Sequence, residues 1–473
     1  MASLMVTLEI AKRSLVNSQL CLQTASHNIA NADNKNYARQ RVMLETSTPY
    51  QVRGSWLGAG ACVSSVTQIR DEFIERRLTA AVSEEADYRT RYTQLSLISA
   101  ILGDDGDQGL SAALGAFWDA WDALNRNPDG ISQRALVEEA TQALVTQIRN
   151  AYTGMTDSAD SIEKELKSHL AEVNGLIEDL ASYNGQIIKA EAAGETANDL
   201  RDLRYTTLQD LAEFIPVTWE EESNGALTIR LTDYGTDITL VSGDAYGSLF
   251  YDETNHRITY EDEQGTAVPG DPDLENDLPG GELAGLLHVY NLVGKQHDLS
   301  FVQANPDDAS LTYLDRLNAL AAALIIEVNA VHEQGGGSKV FDDSVLGEKF
   351  KAGDMAVDAD FVVNSTQAVA IADLQSHRFA GESGESDLGN ATFLEYLSRT
   401  QEQVGLDQQD ALSRADFQAA LLEHLQAQQQ SVSGISIDEE MVDLIKFQQI
   451  YQAAAKVITH AAEMLDTAIQ MVD

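Results

Sequence analysis

Met1-Ala-Ser-Leu-Met-Val-Thr-Leu-Glu-Ile-Ala-Lys-Arg-Ser-Leu-Val-Asn-Ser-Gln-Leu-Cys-Leu-Gln-Thr-Ala-Ser-His-Asn-Ile-Ala, residues 1–30, decides how this 473-residue chain is read. Leu4, Leu8, Ala11, Leu15, Ser18, Leu22, Ala25 and Ile29 alternate spacings of four and three. That is an a/d heptad seam. It predicts a long helix that needs a partner, because a seam this narrow does not order an isolated helix in water. The far end keeps the same rhythm through Ile437, Met441, Leu444, Gln448, Tyr451, Ala455, Ile458, Ala462, Leu465, Ile469 and Val472. A second apolar track (Phe447, Ala454, Ala461, Ala468) runs beside it, giving a face wider than one partner helix requires. Ser436 and Asp438 are N-cap candidates, with Gly434 as the breaker before them.

Charge supports pairing of the two ends. Residues 1–50 hold five basic and three acidic residues, whereas 432–473 hold two basic and seven acidic ones. A mildly basic start facing an acidic end favours their association. The whole chain carries a net charge of −44. Such a surface repels nucleic acid and anionic lipid, which demand clustered Lys and Arg. At 44% hydrophobic, with 7% aromatics and only 7 prolines, the composition suits a helix-rich chain of several units. Cys21 and Cys62 offer neither a disulfide framework nor a metal knuckle and are read as inert packing residues. The N-terminus lacks the charged leader, apolar core and cleavage site of a secretory signal, and no stretch has the length of a membrane span.

Between the ends the pattern alternates. Residues 37–70 read as strands. Helical periodicity covers 71–102 and 109–125, then a long helix at 131–192 with Met155, Ala159, Ile162, Leu166, Leu170, Val173, Ile177, Leu180 and Ile187 on one stripe. A helix at 198–214 follows. Residues 216–285 change character: sixteen acidic residues against two basic ones, with strand-like alternation. They read as a β-rich insertion. Helices are expected at 282–299, 311–333, 388–400 and 414–431, with a loop-rich segment at 338–386. The fold class is therefore mainly α with a β-rich insertion (α+β, multidomain): terminal coiled-coil helices, a helical body with long antiparallel helices and β-hairpins, and a small outer β domain. The domains are residues 1–36 with 432–473, residues 37–215 with 286–431, and residues 216–285.

Catalytic chemistry finds no support. The histidines do not cluster, and no zinc-protease, nucleophile-elbow or phosphate-loop motif occurs. Gly335-Gly-Gly-Ser follows a helix and reads as a flexible linker. Asp271, Asp273, Glu275, Asp277 and Glu282 mimic the offsets of a calcium loop, but Asn276 stands where glycine is needed and Pro272 and Pro279 interrupt. The run reads as a solvated acidic loop. Phe117, Trp118 and Trp121 sit at helical spacing beside Leu114 and Leu124, which marks them as core rather than a stacking platform. No catalytic residue, cofactor or metal is expected.

Two stretches carry a resemblance. The first is Ser26-His-Asn-Ile-Ala-Asn-Ala-Asp-Asn-Lys-Asn-Tyr-Ala-Arg-Gln, the second Val432-Ser-Gly-Ile-Ser-Ile-Asp-Glu-Glu with Phe447-Gln-Gln-Ile-Tyr-Gln-Ala-Ala-Ala-Lys-Val-Ile. With Asn125-Arg-Asn-Pro, Asn198-Asp-Leu-Arg-Asp-Leu-Arg and Gly280-Gly-Glu-Leu-Ala-Gly-Leu-Leu, the chain resembles the flagellar hook–filament junction family, hook-associated protein 1 (FlgK). It departs by placing Asn36 where that family has Gly, and Tyr205 where it usually has Asp. Asn is the best non-glycine residue for a left-handed turn. The resemblance implies a structural flagellar subunit exported unfolded through the flagellum's own channel to the cell exterior. Its partners would be copies of itself in a ring or tube, the hook subunit, a second junction protein or filament subunits, and an export chaperone at the C-terminal region. The expected assembly interface comprises Leu4, Leu8, Leu15, Leu22, Asn28, Ile29, Asn31 and Tyr37 with Met441, Leu444, Phe447, Tyr451, Ile458, Leu465 and Ile469. Another axial subunit of hook, rod or filament type, or a secreted coiled-coil adhesin with a functional 216–285 segment, stand as alternatives.

Overall fold

The chain opens with α1 (Ala2–Ala30) and continues through a turn into a nested hairpin of β1 (Gln40–Thr46), β2 (Tyr50–Val52), β3 (Ser55–Leu57) and β4 (Ala61–Gln68). The structure is a computed structural model. It describes residues 2–470 except 53–54, 104–108, 195, 232–237, 254–256, 263–277, 295–296, 307, 309, 348 and 382–385. The Asp271–Asp277 acidic run lies outside the described residues, as do Val472 and the side chains of Ala468 and Ile469. In the hairpin, β1 pairs antiparallel with β4 and β2 with β3, and a bulge falls between Met43 and Leu44. Cys62 is exposed on β4. The expectation of a packing role fails there because strand alternation turns its side chain away from α1.

The body begins with α2 (Glu72–Leu102), whose N-cap Asp71 accepts from the backbone N–H groups of Phe73 and Ile74. Then come α3 (Leu110–Arg126), α4 (Ile131–Ala192) and α5 (Asn198–Phe214). The α4 stripe from Met155 to Ile187 is buried throughout. One continuous core runs beneath it, centred on Phe117, Trp118 and Trp121. Trp118 stacks on Phe393 with ring centroids 5.7 Å apart, and Phe117 faces Phe341 at 6.0 Å. Each of these rings buries more apolar area than an aliphatic side chain does.

Two asparagines of α4 bind the inserted strands. The sheet β5 (Val217–Glu221), β6 (Leu227–Leu231), β7 (Ile238–Ser242) and β8 (Ala245–Tyr246) is antiparallel in that order, and β9 (Ser248–Asp252) pairs with β10 (Arg257–Glu261). Asn184 donates to the carbonyls of Leu227 (2.8 Å) and Gly243 (2.9 Å) and accepts from the Leu227 N–H. Asn174 exchanges the same pair of bonds with Leu249 at 2.8 Å each. A carboxamide can satisfy a strand's donor and acceptor together, so each asparagine acts as a one-residue strand partner.

The chain returns through α6 (Glu282–Val293), α7 (Leu299–Ala304), α8 (Tyr313–Gln334) and α9 (Ala368–Asp373), and β11 (Phe379–Ala380) pairs with β12 (Asp387–Ala391). The helix expected at 282–299 ends at Val293, before Gly294. Gly335 to Gly337 form no flexible linker: the Gly335 carbonyl accepts from Asn364 at 3.0 Å, and Gly337 lies against the His332 ring. Residues 388–391 are strand, and the helices expected at 388–400 and 414–431 are one helix, α10 (Phe393–Ser433), started by a Thr392/Glu395 capping box. The middle of α10 lacks apolar periodicity because small residues and amides hold it on α2. Ala411 and Ala415 are buried, Gln401 bonds the Leu102 carbonyl at 2.7 Å, and Gln408 bonds Ser96 at 3.0 Å. Finally α11 (Ile437–Gln470) runs antiparallel along α1.

Candidate assembly site at the base of the terminal helices

On α11 the residues turned toward α1 are Glu440, Leu444, Phe447, Tyr451, Ala454, Ile458, Ala461 and Leu465, a strict four-three repeat. This register merges the two tracks visible in the sequence. Leu444, Tyr451, Ile458 and Leu465 come from the first, while Phe447, Ala454 and Ala461 come from the second. Met441, Gln448 and Ala462 leave the seam and are exposed, Met441 at 51%. On α1 the predicted Leu4, Leu8, Leu15, Leu22 and Ile29 are only half-buried, while Ala11, Ser18, Cys21, Thr24, Ala25 and Asn28 are buried. Small residues thus form the closest approach, and the large aliphatic ones flank it. Burial beside α11, with Asp443 nearby, raises the Cys21 thiol pKa. Among the described residues, none of α1 or α11 belongs to the hydrophobic cores of the body.

At the inner end of this pair the motif residues converge. Asn28, 1% exposed, uses its whole carboxamide. Its Oδ1 accepts from the Tyr37 hydroxyl (2.9 Å) and the Gln40 N–H (3.1 Å). Its Nδ2 donates to the Gln40 carbonyl and to Glu440 Oε2, both at 3.0 Å. Glu440, 3% exposed, is also held by Arg39 Nε at 2.7 Å, and Arg39 Nη1 reaches Glu439 at 2.9 Å. Burial disfavours the charge on Arg39, but the hydrogen bonds and attraction of Glu439 and Glu440 outweigh it and hold its pKa above the ordinary value. The Tyr37 pKa is pushed far up by burial, then by Asp202, Asp199 and Glu440 around it. Tyr37 stays a neutral donor at any physiological pH.

The same turn is tied to the body. The Ala38 N–H donates to Asp202 (3.3 Å), which also receives Arg70 at 2.6 Å. Burial raises the Asp202 pKa even against the pull of Arg70. Gln40 reaches Asp199 at 3.0 Å, and Asn198 bonds the Val66 carbonyl at 2.9 Å. The Arg70 guanidinium lies 4.0 Å over the Tyr205 ring, whose hydroxyl bonds Glu75. Tyr205, replacing the expected Asp, therefore stacks beneath an arginine that already has Asp202 and Glu75 as its anions. Gln429 of α10 closes on the same Glu75 at 2.8 Å. A polar cleft of about 520 Å³ opens beside this network, lined by Asn34 to Arg39, Arg70, Glu75 and Gln429 to Ser436.

Asn31 lies outside the shared network and closes α1, its Nδ2 bonding the His27 carbonyl at 3.0 Å. Asn36 does not take the left-handed backbone expected of it; instead its N–H is held by the Asn34 side chain at 3.2 Å. Ser436 caps α11 through its hydroxyl to the Glu439 N–H (3.5 Å), whereas Asp438 lies inside the first turn. Arg39, Gln40, Arg70, Asp199, Asp202 and Glu440 were missing from the expected interface. All but Arg70 lie inside the stretches that carry the resemblance, and Glu440 had a second signal: a charged residue falls at 440 once the heptad is counted through 444, 447 and 451.

Comparison with known proteins identifies the family. Residues 95–343 match the model of the flagellar hook-associated protein FlgK helical domain, and 426–471 that of the flagellar basal body rod FlgEFG protein C-terminal region. The chain is 26% identical to flagellar hook-associated protein 1 of Bacillus subtilis, covering 99% of this chain and 98% of that protein. It is 24% identical to the protein of that name in Salmonella typhimurium, over 98% and 99% of the two chains. A solved structure, the flagellar hook junction protein FlgK from Burkholderia pseudomallei, aligns over 56% of this chain and 46% of its own, at 24% identity and a TM-score of 0.47.

Proposed function

The chain belongs to the flagellar hook-associated protein FlgK family and is a structural subunit of the hook–filament junction of the bacterial flagellum; from that premise we propose that its paired terminal helices are the element that polymerises. Residues 1–36 and 432–473 form the inner-tube domain, residues 37–215 and 286–431 the body around it, and 216–285 an acidic outer domain. One observation carries this reading. Among the described residues the α1/α11 pair meets the rest of the chain through its polar base and the β1/β4 ribbon on α1, outside the hydrophobic core, and its outer surface exposes Val16, Val442, Ile445, Val457 and Met464 at 42–65%. A pair of helices with large apolar residues exposed on its outside and half-buried leucines flanking its seam is stable where neighbours cover it.

The subunit works as a scaffold without catalysis. It leaves the cell unfolded through the flagellar channel, and an export chaperone shields the C-terminal helix until secretion. In place, it contacts copies of itself, the hook subunit on one side, and a second junction protein or filament subunits on the other. Among the described residues, no helix is long and apolar enough to cross a membrane. Electron microscopy of cells lacking this chain tests the assignment. Hooks without filaments, with monomeric flagellin shed into the medium, are the expected result, and normal filaments would overturn it.

A further inference from the structure

We propose that neighbouring copies contact each other laterally by laying the β1 face of one, Arg41 with Met43, on the outer face of α11 of the next, Asp438 with Val442 and Ile445. This rests on the reading of the terminal helices as the polymerising element, and it names the surface that each presents to the other.

Both the ribbon and α11 pack on α1. Among the described residues, no hydrogen bond or ion pair joins residues 40–68 to 437–470. The subunit's end is thus a layered packet, with ribbon, α1 and α11 each leaving an outer face uncovered. On the ribbon, Met43 is 46% exposed and shares its face with Arg41 two residues before it. On α11, Val442 and Ile445 are 65% and 51% exposed. Asp438, Val442 and Ile445 are spaced by four and three, which puts them on one stripe, and that stripe lies opposite the seam begun by Glu440.

The two faces also match in register and direction. Both start at the same level, because Gln40 and Glu440 are bound to the same Asn28 side chain. From there β1 and α11 both run away from the body. Arg41 and Met43 are about 6.6 Å apart along a strand, and Asp438 and Val442 about 6 Å apart along a helix. The charges complement each other. Arg41 is exposed and without an ion-pair partner among the described residues, and so is Asp438. A basic residue on a chain of net charge −44 finds its natural counterpart on another copy of the same chain. The contact joins two different faces, so it is head-to-tail and propagates into a ring or helix rather than stopping at a dimer.

Two experiments on the full chain in cells decide it. The first introduces Arg41→Cys and Asp438→Cys together in a Cys62→Ser background and treats isolated flagella with a short bis-maleimide. A ladder of covalent multimers is expected from the double variant and none from either single one. Filaments at normal number that yield only monomer would overturn the contact. The second is a charge exchange. Arg41→Glu and Asp438→Lys should each lower filaments per cell roughly threefold or more, and the double variant should restore them. A double variant no better than its parents would likewise overturn it, including where the cysteine variants fail to assemble. Absence of the unmodified chain from isolated flagella would instead remove the assembly reading on which the contact depends.

Discussion

Glu440 Oε2 accepts from Asn28 Nδ2 at 3.0 Å, joining residues 412 positions apart in sequence. Both side chains are buried at the inner end of the terminal helix pair. A buried polar pair contributes little net stability but strongly penalises any register that leaves it unmatched. This pair therefore sets how α1 and α11 meet.

Replacing Glu440 by Ala leaves Asn28 short of an acceptor and Arg39 with Glu439 alone. The expected cost is about 2 kcal/mol, below the usual range for a buried pair because Arg39 keeps some solvent. The loss should fall on the terminal helices. Amide exchange in α1 and α11 should accelerate about tenfold or more, with the melting temperature of the body unchanged. Unchanged exchange in α1 would contradict the assigned role.

Ala454 and Ala461 lie at the closest approach of the two helices, 5% and 1% exposed. Enlarging either to Leu forces the pair apart at about 1–3 kcal/mol. Leu444→Asp or Ile458→Asp places a charge in the same seam. All four variants should lose filament attachment while their isolated bodies keep a normal thermal transition. Wild-type motility in the Asp variants would refute the interface.

His332 reports on the body. Its ring is fully buried; Nε2 accepts from the Asn364 N–H at 3.1 Å, and Nδ1 bonds the Ser338 carbonyl. Burial lowers its pKa below the ordinary 6.5. The folded state then binds fewer protons than the unfolded one, so this contribution is complete above that value and is lost as pH falls toward the depressed one. Melting temperature should drop between about pH 7 and 5, and His332→Asn should flatten that drop. An equal slope in the variant would exclude His332 as its source.

Limited proteolysis of the purified monomer should cut within residues 1–30 and 440–473 before the core around Trp118 and Trp121. Neither end helix shares that core, and exposed helices open at low free-energy cost. Ends that outlast the body under protease would show that the helix pair is stable without neighbours.

Heptad spacing exposed both terminal helices in the sequence, since apolar side chains facing a single partner must recur every three or four residues. The long stripe from Met155 to Ile187 and the strand alternation of the acidic insertion were legible for the same local reason. The two-track face of α11 was also visible, but which residues would enter the seam was not. Periodicity fixes the spacing of a stripe, whereas its rotation depends on what stands opposite, and small residues at 454 and 461 admit the closest approach. The single helix from Phe393 to Ser433 was missed because amides and alanines hold its middle.

By itself the sequence determined the element types, the paired ends and the absence of recognisable catalytic motifs, all of which follow from local spacing and composition. Only the tertiary structure decided that Asn28, Arg39, Gln40, Asp199, Asp202 and Glu440 share one node. Hydrogen-bond partners brought together from three distant segments leave no periodic trace along the chain, because direction and distance, not order, select them.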